Sequence, residues 1–225
     1  MSEVFGVNIS TGLSYPIFQQ LLHLLPSEKQ EKLNRFTQYK DAQRGLVAEL
    51  LIRNILREKG FSSDKICFQP NSFGKPFLPK ITDVDFNLSH SEDWVVCALD
   101  RSRIGIDIEY IQAIDLDISN QFFTETECHY IFSNSEFQLD RFYDIWTMKE
   151  SYLKAIGYGL SFPLNSFSVI QSDNDFMVDS IGEKYFLKLI EIDPAYKLSV
   201  CVSHSNLPLE VNIIKLDNLI MKTLR

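Results

Sequence analysis

Two stretches of the sequence, about 100 residues apart, repeat the pattern of an apolar helix closed by a glycine. From Ala42 to Lys59 apolar residues recur every three or four positions, which predicts a core-facing helix, and Gly60 ends it. A second helix is predicted over 140–156, and Gly157 ends it 97 residues after Gly60. The recurrence favours a duplicated unit, although two amphipathic helices can also resemble each other by chance.

Strands follow each of these helices. Residues 94–99 are apolar and residues 103–109 alternate strictly, so we expect two strands joined by a turn over 100–103. After the second helix, strands are predicted around 167–170, 185–192 and 197–203. Val95-Val96-Cys97 and Ser199-Val200-Cys201 lie 104 residues apart, close to the offset between the helices. The chain is therefore predicted to contain two helix-plus-sheet units.

The charge of the chain reverses locally near its beginning. The formal net charge is −8 and the pI about 5.0, which argue against nucleic acid as a partner. A helix is predicted from Ser27 toward Phe36, because Ser27 and Gln30 have the capping-box spacing. Basic residues in and after this helix are compatible with an anionic small ligand: Lys29, Lys32, Arg35, Lys40 and Arg44.

Composition and cysteine usage indicate a globular protein of the cytoplasm. The 225 residues are 45% hydrophobic and 23% charged, enough for one large domain or two small ones. The first residues lack a basic leader, and no apolar run reaches the roughly 18 residues that span a bilayer, so we expect no membrane association. The four cysteines lie far apart, which is typical of reduced thiols: Cys67, Cys97, Cys128 and Cys201.

Two acidic residues on one predicted strand form the first candidate site. In Ile104-Gly105-Ile106-Asp107-Ile108-Glu109 the isoleucines face the core, which leaves Asp107 and Glu109 on the other face. Two residues of strand separate them by about 7 Å, so both can address one hard cation. A solvated acidic face is the alternative. Gly105 is expected to leave room for a ligand.

A third carboxylate lies on the second long helix. Its predicted buried stripe includes Trp146 and Lys149 and places Glu150 and Lys154 together at the edge. An exposed pair of this spacing contributes only about 0.3 to 0.5 kcal/mol, which is the simpler interpretation. Three carboxylates and a lysine, however, are what Mg²⁺-assisted phosphoryl chemistry requires.

A polar segment, Asn87-Leu88-Ser89-His90-Ser91, comes directly before the buried strand at 94–99. A histidine in such a place more often stabilises a turn than catalyses a reaction, and the order of residues does not suggest a hydrolase triad. The sequence has neither a Walker A loop nor a Gly-x-Gly-x-x-Gly motif. Any phosphate must therefore be held by separate side chains.

Five segments together resemble the 4′-phosphopantetheinyl transferases of the Sfp type, which service peptide synthetases. They occur in that family's order and spacing and cover the chain from about Pro26 to His204. The segments are Phe73-Gly74-Lys75-Pro76, Phe86-Asn87-Leu88-Ser89-His90-Ser91, Gly105-Ile106-Asp107-Ile108-Glu109, Phe122-Phe123-Thr124-Glu125-Thr126-Glu127 and Trp146-Thr147-Met148-Lys149-Glu150-Ser151-Tyr152-Leu153-Lys154.

The resemblance implies an α+β fold: a pseudo-twofold monomer of two similar helix-plus-antiparallel-sheet halves with the active site at their interface. We expect residues 1–103 to bind the phosphates of coenzyme A and residues 104–225 to carry the metal and catalytic residues. The implied reaction moves phosphopantetheine from coenzyme A to a serine of an apo acyl or peptidyl carrier protein, releasing adenosine 3′,5′-bisphosphate.

The resemblance also implies roles for single residues. Asp107, Glu109 and Glu150 match the Mg²⁺ ligands, and Glu150 is expected to take the serine proton, directly or through water. Lys154 is expected to contact coenzyme A and to neutralise or protonate the departing phosphate. Glu127 also matches the family, with a helix-start acid as its simpler interpretation. Further matches to positions that hold coenzyme A are Lys29, Lys32, Arg44, Lys75, Ser89 and His90.

The sequence departs from the family pattern at two positions. Gly45 stands where relatives often have a hydroxyl residue, and Tyr158 replaces a common lysine, so one phosphate contact is expected to be absent. A hypothetical carrier surface over 110–124 includes Ile111, Ile114, Leu116 and Phe123. Two alternatives stay open: a non-catalytic module that binds coenzyme A or a nucleotide, and a Mg²⁺-dependent pyrophosphatase.

Overall fold

The computed structural model describes residues 2–172, 175–180 and 182–224 of the chain. Its strands are β1 (Glu3–Asn8), β2 (Gln69–Pro70), β3 (Pro76–Phe77), β4 (Asp85–Ser91), β5 (Trp94–Asp100), β6 (Ile104–Tyr110), β7 (Ile170–Ser172), β8 (Asp175–Ser180), β9 (Glu183–Leu189), β10 (Tyr196–Val202) and β11 (Val211–Ile213). Its helices are α1 (Tyr15–Leu22), α2 (Ser27–Asn34), α3 (Tyr39–Glu58), α4 (Ser119–Phe122), α5 (Glu125–Phe132), α6 (Gln138–Ile156) and α7 (Leu216–Thr223).

Two sheets that share one triplet of corresponding strands form the centre of the molecule. The first has the order β11-β1-β5-β4, and the second has the order β6-β10-β9-β8-β7. The triplets β1-β5-β4 and β6-β10-β9 correspond in chain order and are antiparallel throughout. Helix α3 packs against β5, and α6 packs against β6 and β10. This arrangement confirms the predicted α+β fold of two similar helix-plus-sheet halves.

The two long helices end as the sequence predicts. Gly60 and Gly157 follow them with φ angles of +88° and +77°, a backbone conformation that other residues rarely adopt. Each helix buries an apolar face, with Leu46, Leu51 and Leu56 of α3 fully inaccessible. Burial of a side chain of this size contributes about 1.5 to 3 kcal/mol.

A further apolar cluster joins the two halves. Val96 and Ala98 of β5 belong to it together with the three isoleucines of β6 at 104, 106 and 108, all of them inaccessible to solvent. The predicted inward direction of these isoleucines is thereby confirmed. Because β6 is held between the halves, its opposite face is directed toward α6, the helix that carries Glu150.

The last part of the described chain returns to the first half. Strand β11 pairs in parallel with β1, Val211 opposite Val4, and α7 packs against α3. The boundary at residue 103 stays a prediction. None of the helices in the described part of the chain is both long and apolar enough to cross a membrane.

Several elements differ from the sequence prediction. Helix α3 starts at Tyr39, three residues before the predicted start. The strand predicted around 167–170 is shorter and later, since a 3₁₀ turn covers Leu164–Ser166 and β7 begins at Ile170. The polar segment at 85–91 is itself a strand, β4, which forms a hairpin with β5. Strands β5 and β6 follow each other in the chain but belong to different sheets.

Candidate active site

A cleft of about 570 Å³ lies between the two halves. It is lined from the first half by α2, α3, β3 and β4, and from the second half by β6 and α6. Eight of the predicted site residues line it: Lys29, Lys32, Ser89, His90, Asp107, Glu109, Glu150 and Lys154. The structure therefore brings together residues that lie up to 125 positions apart in the sequence.

One end of the cleft is acidic and is built around Asp107 on β6. The Ser89 hydroxyl donates a hydrogen bond to Asp107 Oδ1 at 2.9 Å. The Lys154 ammonium donates to the same oxygen at 2.5 Å and to Ser89 Oγ at 3.0 Å. Glu109, two residues along the strand, accepts a hydrogen bond from Ser91 Oγ at 3.1 Å.

Two carboxylate oxygens at this end are buried without a partner. Within the described part of the chain, Asp107 Oδ2 and Glu150 Oε1 make no hydrogen bond. Burial and the neighbouring charge of Asp107 raise the pKa of Glu150 to about 7 and that of Glu109 to about 6. Acceptor-only oxygens in a repulsive acidic environment suit a small, hard cation.

Over the residues that the structure describes, the side chains of the acidic residues are not arranged around a common point as the ligands of a metal ion would be. Among the described residues, no three histidine, cysteine or acidic side chains lie close enough together to count as a metal centre. The Lys154 ammonium, bound to Asp107, supplies positive charge at this point. The residue types and the two unpartnered oxygens fit a divalent cation, and the ligand set of Asp107, Glu109 and Glu150 stays a prediction.

The other end of the cleft is basic. Lys29 reaches it from α2 with its ammonium 3.1 Å from Glu49 Oε2, and Lys32 is exposed one helical turn later. Arg44 is not among the residues that line the cleft: it donates to the Glu92 carbonyl at 2.9 Å and forms an ion pair with Asp41, while its Nε is buried without a hydrogen-bond partner in the described ranges. Although His90 is exposed toward the cleft, the protein packed around its ring and the charge of Arg44 lower its pKa.

Lys75 is not among the residues that line the cleft, although the next residue, Pro76, is. Its ammonium donates to Asp85 Oδ2 at 2.8 Å and to the Ile104 carbonyl at 3.1 Å. It therefore ties the turn between β2 and β3 to the first residues of β4 and β6. A contact between Lys75 and coenzyme A remains a prediction that this geometry does not itself provide.

Gly105 is needed for helix packing, and the expectation that it leaves room for a ligand was wrong. A Cβ atom at this position would lie 2.0 Å from the Ser151 carbonyl oxygen and 2.4 Å from the Ala155 nitrogen. The space beside the strand is filled by the backbone of α6. The close approach instead brings Glu150 and Lys154 of that helix next to Asp107.

The structure gives Glu127 a supporting role behind the site. Glu127 and Lys149 form an ion pair of 2.9 Å in which both side chains are buried. Glu127 also accepts hydrogen bonds from the backbone nitrogens of Thr124 and Val169, at 2.9 and 2.8 Å. Lys149 precedes Glu150, so the pair fixes α6 to the residues that pack behind it.

Gly45 and Tyr158, the two departures from the family pattern, each take part in packing between segments. A Cβ atom at Gly45 would lie 2.6 Å from Leu33 Cδ2, so the glycine permits close packing of α2 on α3. Tyr158 is exposed and makes an edge contact with Phe73, with ring centroids 5.1 Å apart. It thus joins loops of the two halves where a lysine is common in the family.

Sequence reasoning missed several residues that line the cleft, among them Glu49, Asn87 and Trp146. Glu49 lies within the apolar repeat of α3 and forms ion pairs with both Lys29 and Arg53. Trp146 lies one helical turn before Glu150, and this spacing places both side chains on one face of α6. The spacing is the sequence signal from which Trp146 could have been predicted to line the cleft.

The chain belongs to the 4′-phosphopantetheinyl transferase superfamily. The model of that superfamily matches residues 103–201, and the model described as 4′-phosphopantetheinyl transferase, N-terminal, matches residues 14–102. The two matches divide the chain close to the start of β6, and they include every residue discussed above as part of the cleft.

Individual relatives extend the similarity over nearly the whole chain. The 4′-phosphopantetheinyl transferase Sfp of Bacillus subtilis (strain 168) is 35% identical over 223 residues, 97% of this chain and 100% of the relative. The 4′-phosphopantetheinyl transferase gsp of Aneurinibacillus migulanus is 36% identical over 221 residues, 96% and 92% of the two chains. The crystal structure of Thermotoga maritima holo-[acyl-carrier-protein] synthase is more distant, with a TM-score of 0.40 and 14% identity over 47% of this chain and 64% of that one.

Proposed function

We propose that this transferase moves the 4′-phosphopantetheine group of coenzyme A to a serine hydroxyl of an apo acyl or peptidyl carrier protein. The serine oxygen forms a bond to the phosphorus that carries pantetheine, and the bond from that phosphorus to the bridging pyrophosphate oxygen breaks. The products are the holo carrier protein and adenosine 3′,5′-bisphosphate. The observation that carries the proposal is a single cleft with a basic end for phosphates and an acidic end for a cation.

The basic end is proposed to hold the phosphates of coenzyme A. Lys29 and Lys32 line the cleft, and the unpartnered Arg44 Nε lies near His90. A protein with net charge −8 can bind a polyanion only where cations are concentrated locally. Ser89, Lys154 and Lys75 complete the proposed contacts, the last after its ammonium leaves Asp85.

The acidic end is proposed to hold Mg²⁺ through Asp107, Glu109 and Glu150. When bound, Mg²⁺ neutralises the charge of the pyrophosphate oxygens and so stabilises the transition state of phosphoryl transfer. Supporting this assignment are the two buried oxygens without partners and the raised pKa values of Glu109 and Glu150. Without a cation, three carboxylates at this depth repel one another.

Glu150 and Lys154 are proposed to move protons and charge. Glu150 is proposed to take the proton of the attacking serine, and without a bound cation its pKa of about 7 lies in the range of a general base at neutral pH. Lys154 stands beside Asp107 with its ammonium 2.5 Å from Oδ1, where it neutralises or protonates the departing phosphate. Glu150 is proposed to take this proton directly or through a water molecule. A carboxylate that binds a cation is a weaker base than one that does not.

The carrier protein is proposed to approach along a groove of about 530 Å³ beside the cleft. Glu109 and Trp146 line both the groove and the cleft, so a serine seated in the groove is next to the acidic end. Ile114 and Ile118 give the groove an apolar wall. Phe123 of the predicted surface is buried in the second half's core and is therefore unavailable.

We propose that the enzyme acts as a monomer in the cytoplasm, without a nucleic-acid or membrane partner. The four cysteines are free thiols, as expected in a reducing compartment. The acidic net charge opposes binding to a phosphate backbone.

The test is labelling of apo carrier proteins in the presence of coenzyme A and Mg²⁺, followed by intact mass and by release of adenosine 3′,5′-bisphosphate. The proposal predicts both products in equal amounts from the wild type. Coenzyme A binding without product indicates the non-catalytic module, and cleavage without a carrier indicates the pyrophosphatase. Parallel assays with peptidyl and fatty-acid carriers identify the carrier class, and Ile114→Asp should raise KM for the carrier alone.

A further inference from the structure

Strands β4 and β6 are the facing edges of two different sheets, and side chains of β4 rather than its backbone join them. Four alternate residues of β4 accept hydrogen bonds from four alternate backbone N–H groups of β6, always 19 positions later. Asp85 Oδ2 accepts from Ile104 at 3.0 Å, Asn87 Oδ1 from Ile106 at 2.9 Å, Ser89 Oγ from Ile108 at 3.4 Å and Ser91 Oγ from Tyr110 at 3.0 Å. We call this set the edge ladder.

The edge ladder provides hydrogen-bond acceptors for backbone N–H groups of β6. In an antiparallel pair, the N–H groups of a strand point alternately toward its partner and away from it. Strand β10 pairs with one side of β6, and the residues at 104, 106 and 108 are buried, so their outward N–H groups need acceptors. The polar side chains of β4 provide them, one for every second residue, which sets the register of β6 against the first half.

Two serines of the edge ladder also hold the acidic side chains of β6. Ser91 Oγ accepts from the Tyr110 N–H and donates to Glu109 Oε2 at 3.1 Å. Ser89 makes the same pair of bonds one step earlier, to Ile108 and Asp107. A hydroxyl has one proton, so a serine that accepts from the backbone directs that proton to the carboxylate. The first half therefore orients carboxylates that belong to the second.

We propose that Asn87 and Ser91 are positioning residues for the carboxylates of β6. Asn87 holds the backbone of β6 at Ile106, directly before Asp107. Ser91 holds the backbone at Tyr110 and also the side chain of Glu109. Neither acts on the transferred group. The kinetic part of the inference rests on the proposed function, whereas the placement of β6 and of its cation-binding oxygens does not.

The test compares four variants of the full chain with wild type. Ser91→Ala removes the hydroxyl, Ser91→Thr keeps it, and Asn87→Leu removes the acceptor at similar volume. Ser168→Ala is the control, because its hydroxyl makes a 3.0 Å hydrogen bond to Thr124 Oγ1, away from the cleft. Four quantities are measured: amide exchange at Tyr110, the Mg²⁺ concentration that half-saturates the thermal shift, and kcat and KM for coenzyme A.

The inference predicts that Ser91→Ala speeds Tyr110 amide exchange and raises the half-saturating Mg²⁺ concentration about 10- to 100-fold, the usual effect of removing a partner of a metal ligand. In the same variant kcat should fall by a similar factor with KM for coenzyme A little changed. Ser91→Thr should keep all four quantities within about threefold of wild type, and Ser168→Ala should leave them unchanged.

Several results separate the inference from the proposed function. If wild type transfers nothing, the proposed function fails, while a shifted Mg²⁺ midpoint in Ser91→Ala still supports the positioning role. If wild type transfers and Ser91→Ala matches it in exchange, midpoint and kcat, the inference is overturned. A loss shared equally by Ser168→Ala also overturns it, because the effect is then one of general stability. If Asn87→Leu does not fold, the comparison of Ser91→Ala with Ser91→Thr decides whether the edge ladder positions the carboxylates.

Discussion

Replacing Glu150 by glutamine should stabilise the protein when no divalent cation is present, although it removes a proposed catalytic group. Burial and Asp107 raise the pKa of Glu150 from 4.5 to about 7. An acid whose pKa is higher in the folded state binds protons more tightly there, so stability falls as pH rises from about 4.5 to about 7. Above that range the wild type carries the full cost of a buried, repelled carboxylate.

The magnitude follows from the size of the shift. One pKa unit corresponds to about 1.4 kcal/mol, so the change from 4.5 to about 7 costs on the order of 3 kcal/mol at pH 8. Solvent reaches part of the side chain, which reduces the expected gain of Glu150→Gln to about 1 to 3 kcal/mol. At pH 4.5 the folded wild type already holds the proton, so the two proteins should differ by less than about 0.5 kcal/mol.

The assay is urea unfolding in EDTA at pH 4.5 and pH 8, with Glu136→Gln as control because Glu136 is an exposed loop carboxylate. Saturating Mg²⁺ at pH 8 should raise wild-type stability and cancel the advantage of Glu150→Gln. A variant that is less stable than wild type at both pH values in EDTA would refute the electrostatic reasoning. So would an equal gain in Glu136→Gln.

Three further predictions concern other parts of the molecule. Lys149→Met leaves Glu127 buried without its partner and should lower the free energy of unfolding by about 3 to 5 kcal/mol in urea titrations; an unchanged midpoint contradicts the role of the buried pair. Gly105→Ala places a methyl group 2.0 Å from the Ser151 carbonyl, so the melting temperature and transfer should both fall, and wild-type values for both would show that α6 is not held this closely. Lys32→Ala removes one cation of the basic end and should raise KM for coenzyme A about tenfold with kcat retained, whereas an unchanged KM places the phosphates elsewhere.

The sequence was sufficient where local periodicity decides the structure. Both long helices, their terminal glycines and the alternation of β6 follow from residue spacing alone, and the structure confirms them. The pseudo-twofold arrangement with the site between the halves, and the roles of single residues toward coenzyme A, came from the resemblance to a family. Periodicity within one segment says which face a residue occupies, and it does not say which other segment covers that face.

The remaining errors arise from contacts between distant segments. Gly105 was interpreted as space for a ligand, because nothing in the strand shows that the backbone of α6 occupies that space. The segment that forms β4 was interpreted only as a polar stretch before a strand, because nothing in its residues shows that alternate ones bond to β6. Lys75 carries no local sign that Asp85 engages its ammonium. Each of these depends on contacts between segments that are distant in the sequence, and the contacts of β4 with β6 also cross between the two halves.

The most direct measurement is a crystal structure of the protein soaked with coenzyme A and Mn²⁺, with the cation located by its anomalous scattering. The account predicts one Mn²⁺ bound by Asp107, Glu109, Glu150 and the pyrophosphate, with the 3′-phosphate at the basic end formed by Lys29, Lys32 and Arg44. A cation bound away from these carboxylates, or coenzyme A bound on another face of the molecule, would contradict it.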